Sequence, residues 1–217
     1  NLDGNSLLTA IKKVLEFEED DNSGGDRQED IINEARIATA YFSPEGFSRI
    51  ASAIKHIPSI KLMLGSDPIA DHERWKRKLN ESEPSFLERR FQEKLRNQEE
   101  TLRAERNHIP FSKDGRSSIQ LLINSLRAGN MRVKRYEKTF LHAKAYIFTS
   151  KKETKNQEKE TLIAGSSNLT ASGLSTNREL NLACYETSTI NKSKEWFDKL
   201  WDEAIPFDLA SFFEEIF

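Results

Sequence analysis

The chain has 217 residues, 31% of them charged, a formal net charge of −2 and a single cysteine. That length accommodates one α/β core and leaves too little for two full domains; the balanced charge excludes a globally basic nucleic-acid binder, so any such site must be a local patch. One cysteine excludes an internal disulfide framework, and the lack of a signal peptide or a membrane-length apolar run points to the cytoplasm and away from a membrane partner.

Leu7, Leu8, Ile11, Val14 and Leu15 recur at helical spacing after Ser6, so residues 1–15 read as an N-terminal docking helix. Residues 16–30 hold eight acidic side chains against one arginine, with Gly24 and Gly25 between them, and read as a solvated acidic linker. The rest, 31–217, is expected to form one domain. In it, Ala35 to Phe42 reads as a central strand, Pro44 opens a helix that runs to Lys55, and Ile60 to Gly65 reads as a second strand. Strand, helix, strand in that order implies a right-handed crossover and a parallel pair, hence an α/β sheet.

Residues 71–106 carry ten Lys or Arg and nine Asp or Glu, the balance of a solvated helix laced with i,i+4 pairs. Phe86, Leu87, Phe91, Leu95 and Leu102 give that helix one apolar stripe. His72 and His108 read as surface residues, His56 as a turn residue, and no cluster of His, Cys and carboxylates has metal-ligand spacing, so no metal is expected. Ser117 to Leu126 reads as an amphipathic helix closed by Gly129, followed by a strand from Met131 to Phe140. By strand parity Arg132, Lys134, Tyr136 and Lys138 share one face of it. Seven basic residues against two acidic ones between Lys113 and Lys138 make this the one strongly basic stretch. It reads either as a solvated edge strand protected by charge or as a nucleic-acid-binding groove beside the active site, with Arg132, Lys134 and Lys138 tracking phosphates.

The apolar run Phe140 to Phe148 reads as a buried strand that puts His142 and Lys144 on the same side. After an exposed hairpin tip at 150–160, Leu162-Ile163-Ala164 reads as a strand whose end is the polar turn Gly165-Ser166-Ser167-Asn168. Glu179 stands just before a third strand-like run, Leu180 to Tyr185, in which Cys184 reads as a small buried hydrophobe. Trp196, Phe197, Leu200 and Trp201 read as the packed stripe of a helix from Ser193 to Ala204, and the apolar tail with Phe212, Phe213, Ile216 and Phe217 as a partner surface or a chain that continues. The first residue, Asn1, is not methionine, which suits a piece of a longer protein.

His142-Ala143-Lys144, Gly165-Ser166-Ser167-Asn168 and Glu179, in that order and spacing, resemble the phospholipase D superfamily, whose half-site pairs HxK with a downstream GSxN-type turn. The interval from Asn168 to Glu179 is similar to that in the superfamily's bacterial nucleases, a restriction-enzyme branch included. The stretches from Ala40 to Phe47 and from Ile60 to Pro68 also look like the phospholipase D-like domains at the front of helicase-like proteins. The resemblance covers roughly residues 30 to 204. It implies a phospholipase D-like α/β fold, a mixed and mainly parallel sheet flanked by helices. One departure stands out: the longer pattern HxKxxxxD expects an acid where this chain has Thr149. An acid from another loop would then have to stand in for it.

The resemblance also implies a chemistry. His142 would attack phosphorus to give a phosphohistidine, Lys144 would neutralise a non-bridging oxygen, and Ser166 and Asn168 would donate hydrogen bonds to the same group. Gly165 would let the backbone come close, and Glu179 would fix the tautomer of His142. No metal or other cofactor is required. One imidazole cannot both attack and protonate the leaving oxygen. His56, His72 and His108 are followed two positions on by Pro58, Arg74 and Pro110, so no second HxK exists here. A homodimer sharing one site is therefore expected.

The first reading is thus a metal-independent phosphodiesterase acting on DNA, in a restriction, defence or DNA-processing setting. The second is a non-catalytic phospholipase D-like module that dimerises or grips nucleic acid for a larger helicase or restriction protein, motivated by Thr149 and by the way the chain starts and ends. The third, a lipid enzyme, is disfavoured because no exposed aromatic or Leu-rich loop is expected near 142–179.

Overall fold

The element that fixes the architecture is the crossover formed by β1 (Ile31–Thr39), α2 (Pro44–Ile54) and β2 (Ser59–Gly65), which follows the short helix α1 (Leu7–Leu15). Ser6 caps α1 by accepting from the Thr9 amide at 3.1 Å, and Leu7 and Ile11 bury its apolar stripe. Ser43 caps α2 in the same way, accepting from the Gly46 amide at 3.0 Å, and Pro44 supplies a first helical residue that needs no amide partner. β2 pairs parallel with β1, as the crossover requires.

The computed structural model describes residues 6–15, 31–65, 113–139, 141–151 and 158–216. The acidic linker at 16–30 and the charged stretch at 71–106, with His72 and His108, lie outside the described residues. The described chain resumes with α3 (Lys113–Arg127) and β3 (Met131–Tyr136). Between them Gly129 turns the backbone through φ 78°, the left-handed region expected of a glycine that ends a helix. Then come β4 (Lys144–Lys151), β5 (Glu158–Gly165), a π-helical turn at Ser172–Thr176, β6 (Asn181–Cys184), α4 (Thr187–Glu203), β7 (Ile205–Pro206) and α5 (Leu209–Ile216).

The seven strands form one sheet in the order β6-β5-β4-β1-β2-β3-β7. The fold is α/β with a mixed sheet between helices, as the sequence implies. Its parallel part is confined to β1, β2 and β3: antiparallel pairings outnumber parallel ones four to two, because β4, β5 and β6 follow one another as a meander. β3 is paired on both sides, although β7 covers only Lys134 and Arg135.

Strand parity sends alternate residues to two separate cores. Ile37, Leu62, Val133, Tyr146 and Ile163 face α1, α2, α3 and α5, with Phe47, Ile50, Leu122 and Phe213 packed against them. Ala38, Met63, Ile147 and Leu162 face α4, which contributes Ile190, Phe197 and Trp201. Where its side chains are described, the apolar tail packs into the first core. Leu209 and Phe213 are fully buried in the first core, and the ring of Phe213 lies 6.5 Å from that of Phe42. On α4 the expected stripe needs one correction, since Trp196 faces outward, 39% exposed, while Phe197 and Trp201 stack at 5.8 Å. No helix among the described residues is long and apolar enough to cross a membrane.

Phe197 is the centre of the second, smaller core, where nothing else of its size is fully buried. Phe197→Ala is expected to lower unfolding free energy by about 3–5 kcal/mol, measured by denaturant titration.

Candidate active site

β1 and β5 end, and β4 and β6 begin, at the same edge of the sheet. The register sets Thr39 opposite Lys144 and Gly165 opposite Asn181, with Ala145 opposite Ala164 joining the two pairs. Four neighbouring strand ends thus bring Lys144, the 165–168 turn and Glu179 together, within about 14 Å at one strand spacing per step.

His142 is not inside the strand, as the apolar run suggested. β4 starts at Lys144, and His142 sits two residues before it, exposed at the rim. Lys144 is buried at 6% exposure, and its Nζ donates to the His142 carbonyl oxygen at 3.0 Å, so the ammonium pins the backbone that carries the imidazole. Loss of water around the ring, and then the nearby Lys144 charge, hold the His142 pKa below the ordinary imidazole value. Burial likewise lowers the Lys144 pKa, opposed by the Glu179 charge, which also places Glu179 within electrostatic reach of the ammonium.

The turn after β5 is fixed from several sides. A Cβ on Gly165 would meet the Leu180 carbonyl oxygen at 2.1 Å, so the glycine serves the close approach of the chain leading into β6 rather than only that of a substrate. The Ser166 hydroxyl donates to Glu179 Oε2 and accepts from the Leu180 amide at 3.1 Å. Glu179 Oε1 accepts from Asn177 Nδ2 at 3.2 Å. Ser167 is fully buried: Asn181 Nδ2 donates to its Oγ at 2.7 Å, and its carbonyl accepts from the Tyr146 hydroxyl at 3.0 Å. Burial holds the Tyr146 pKa well above its ordinary value, so the phenol stays a donor. Asn168 Oδ1 accepts from the Tyr41 amide at 3.1 Å and lies 3.4 Å from Thr39 Oγ1, which leaves Nδ2 as the donor end of that amide.

Thr39, Tyr41, Tyr146 and Asn181 are the supporting residues that sequence reasoning missed. Thr39 is the key one, because its hydroxyl also donates to the Tyr41 carbonyl at 2.7 Å and accepts from the Leu169 amide at 3.0 Å. The only signal for it was position, as the last residue of β1.

The basic strand does not join this cluster. β3 is three strands from β4, about 14 Å, and Arg132 sits near its start, the end away from the site. Lys134 Nζ donates to the Trp201 carbonyl at 2.7 Å and lies 5.2 Å from that ring, a packing role. Lys138 pairs with Glu203 at 3.5 Å.

Thr149 is also remote, five residues along β4 from Lys144 or about 17 Å. It is buried, and among the described residues its Oγ1 has no hydrogen-bond partner. Its neighbours in register are Glu34 on β1 and Glu160 on β5. Glu34 pairs with Arg36 at 2.8 Å and Lys61 at 3.7 Å, Asp198 of α4 lies 3.3 Å from both cations, and Lys194 of α4 pairs with Glu160. The acids that stand beside the motif position thus come from neighbouring strands, not a loop, and they fasten α4 to the sheet.

One expectation about the rim is overturned. Leu180 and Leu182 are 72% and 68% exposed, and Tyr185 67%: among the described residues β6 is an outer strand of the sheet, with Leu182 on it and Leu180 and Tyr185 at its two ends. Cys184 is half-buried, packed at the margin of the second core. Apolar side chains therefore do border the site.

Residues 33–201 match the family model described as "Cardiolipin synthase, PLD-like domain". No curated protein sequence matches the chain. Among solved structures, NucT from Helicobacter pylori aligns with a TM-score of 0.46 at 15% identity, over 93% of this chain and 91% of that one. A phospholipase D family member, Nuc from Salmonella typhimurium, aligns with a TM-score of 0.45 at 11% identity, over 93% of this chain and 88% of that one.

Thr149→Asp is expected to destabilise the fold by about 2 kcal/mol or more, since it sets a third carboxylate between Glu34 and Glu160. Thr149→Val, which removes a hydroxyl left without a partner, should be neutral or stabilising by about 1 kcal/mol. Thermal unfolding of both variants checks the pair. His142 should titrate below free imidazole in an NMR pH series, and Lys144→Met should move that titration upward, because one of the two causes that lower it is removed.

Proposed function

The chain belongs to the phospholipase D-like domain family, and from that membership we infer that it is a metal-independent phosphodiesterase acting on DNA, with its site completed by a second copy. The observation that carries this reading is the convergence of His142, Lys144, Ser166, Asn168 and Glu179 at one edge of the sheet, on the ends of β4, β5 and β6.

The lowered pKa favours a neutral imidazole, with a lone pair available, in the copy that attacks, and a single proton shared between the two facing rings rests on the other copy. That nitrogen attacks phosphorus, the new N–P bond forms as the P–O bond to the leaving oxygen breaks, and the imidazolium of the second copy delivers its proton to that oxygen. The same second imidazole then takes a proton from water, whose oxygen attacks phosphorus and breaks the N–P bond. Charge on the phosphoryl oxygens is met by the Lys144 ammonium and by Asn168 Nδ2. Ser166 spends its proton on Glu179 in the resting arrangement, so its first task is to hold that carboxylate. Glu179 serves as the acceptor that orients the imidazole. Lys138 and Arg132 are candidates for outer backbone contacts only, given their distance from the reacting edge.

A second reading, hydrolysis or transfer of a phosphatidyl group, is favoured by one observation: the exposed Leu180, Leu182 and Tyr185 beside the site.

Purified protein should cleave DNA in excess EDTA, and His142→Ala should lower the rate by about 10⁴-fold or more, with a phosphohistidine trapped on the unaltered chain at acid quench. Undiminished cleavage by that variant, or none by the unaltered protein, overturns the nuclease reading. Release of headgroup from phospholipid vesicles without DNA cleavage favours the lipid one, and DNA binding with neither activity a non-catalytic module.

A further inference from the structure

The segment that leads into β6 carries a charge that the chemistry above does not use. Arg178 is exposed, and among the described residues no carboxylate pairs with it. Other cations near this edge of the sheet have partners: Arg49 pairs with Glu45 at 3.0 Å, Lys138 with Glu203 at 3.5 Å, and Lys144 donates to the His142 carbonyl. An exposed arginine without an acid is common on any protein surface. What sets this one apart is the backbone that carries it and the place where it stands.

That backbone is tied down on both sides. Before it, the Asn177 amide donates to the Ser172 carbonyl at 2.8 Å, and the Asn177 side chain donates to Glu179 Oε1 at 3.2 Å. After it, the Leu180 amide donates to the Ser166 hydroxyl at 3.1 Å, and the Leu180 carbonyl accepts from the Ser166 amide at 3.0 Å. The same bonds that hold Glu179 and Ser166 in the site therefore fix the root of Arg178. Its planar guanidinium, which matches two oxygens of a phosphate at once, is left for a group outside the chain.

Position decides which group that is. Arg178 is one residue, about 3.8 Å between Cα atoms, from Glu179, whose charge reaches the Lys144 ammonium. β6 lies two strand spacings from β4, about 10 Å. A nucleic-acid strand advances that far in about three phosphates, at about 3.4 Å of rise each. A strand whose reacting phosphate lies against Lys144 and Asn168, and which runs on toward β6, thus carries its next phosphates past Arg178. A molecule with a single phosphodiester has nothing to offer there.

We propose that Arg178 binds a phosphate of the substrate strand beside the one that reacts, so that the site favours a polymer of phosphodiesters over a single one. The proposal rests on the phosphodiesterase reading above, but its first readout is binding and needs no turnover.

The experiment places Arg178→Ala and Arg178→Lys on a His142→Ala background and measures the affinity for a fluorescent DNA oligonucleotide by anisotropy across a salt series. Arg178→Ala should raise Kd by about 10-fold and lower the slope of log Kd against log salt by about one. Arg178→Lys, which keeps the charge but not the fork, should recover part of the affinity. With His142 restored and EDTA present, Arg178→Ala should raise KM for the oligonucleotide by about 10-fold with kcat within about twofold of the parent. It should lose less on bis(p-nitrophenyl) phosphate, which has no neighbouring phosphate. The side chain is exposed, so thermal unfolding should match the parent. Unchanged Kd and salt slope overturn the proposal and, where the parent cleaves DNA, leave the phosphodiesterase reading intact. Equal losses on the two substrates assign Arg178 to the reacting phosphate itself and overturn it too. A parent that cleaves neither substrate removes the phosphodiesterase reading, yet a DNA affinity that falls with Arg178→Ala still upholds the contact. Weakened binding to phosphatidylglycerol vesicles at unchanged DNA affinity assigns the arginine to lipid and overturns the proposal.

Discussion

The site depends on how closely three strands can approach at their ends. Between β5 and β6 the gap is so narrow that only a residue without a side chain fits at Gly165, and that contact sets the height of everything after it. Ser166 can then bridge Glu179 and the Leu180 amide, and Ser167 can sink fully into the core to be held by Tyr146 and Asn181. Thr39 does the same from the β1 side, with one hydroxyl that serves Tyr41, Asn168 and Leu169. Thr39 and Ser167 lie where water is scarce, and leaving either unmatched would cost about 1–3 kcal/mol. The side chains that would face substrate are therefore held by partners chosen to be complete.

The two faces of the sheet divide the work. One carries four helices and most of the apolar volume, and it supports the site from beneath through Tyr146 and Lys144. Among the described residues the other carries α4 alone, joined by a small core and by a row of charges in which Arg36 and Lys61 sit between Glu34 and Asp198. Such a row adds little net stability once desolvation is counted. Its geometry does fix where α4 lies, and Leu182 stays exposed beyond it.

Much of this was readable in the residues. Helical spacing gave α1, strand and crossover order gave the parallel pair, and the HxK, GSxN and glutamate signals marked strands that do converge. What escaped did so for physical reasons. Pattern alone could not tell that the apolar run around His142 is cut into a connection and a strand, because buried connections are as apolar as strands. Parity gave the shared face of the β3 cations but not the strand's place in the sheet, three positions from the site. The exposure of Leu182 was hidden in the same way: a Leu-Ala-Cys run looks the same at the centre of a sheet and at its rim. Thr39 and Asn181 have no motif at all, and only the register reveals them.

Thr149 shows how a sequence signature can be detached from the reaction it advertises. The position where a carboxylate is expected stands far from the Lys144 end of β4, between carboxylates on the two adjoining strands. A negative charge at position 149 would stand between those of Glu34 and Glu160, so the acid of the longer pattern would face the anchorage of α4 and not the cluster around Lys144. A pattern that insists on an acid at that position therefore tests the fastening of the scaffold and not the composition of the rim.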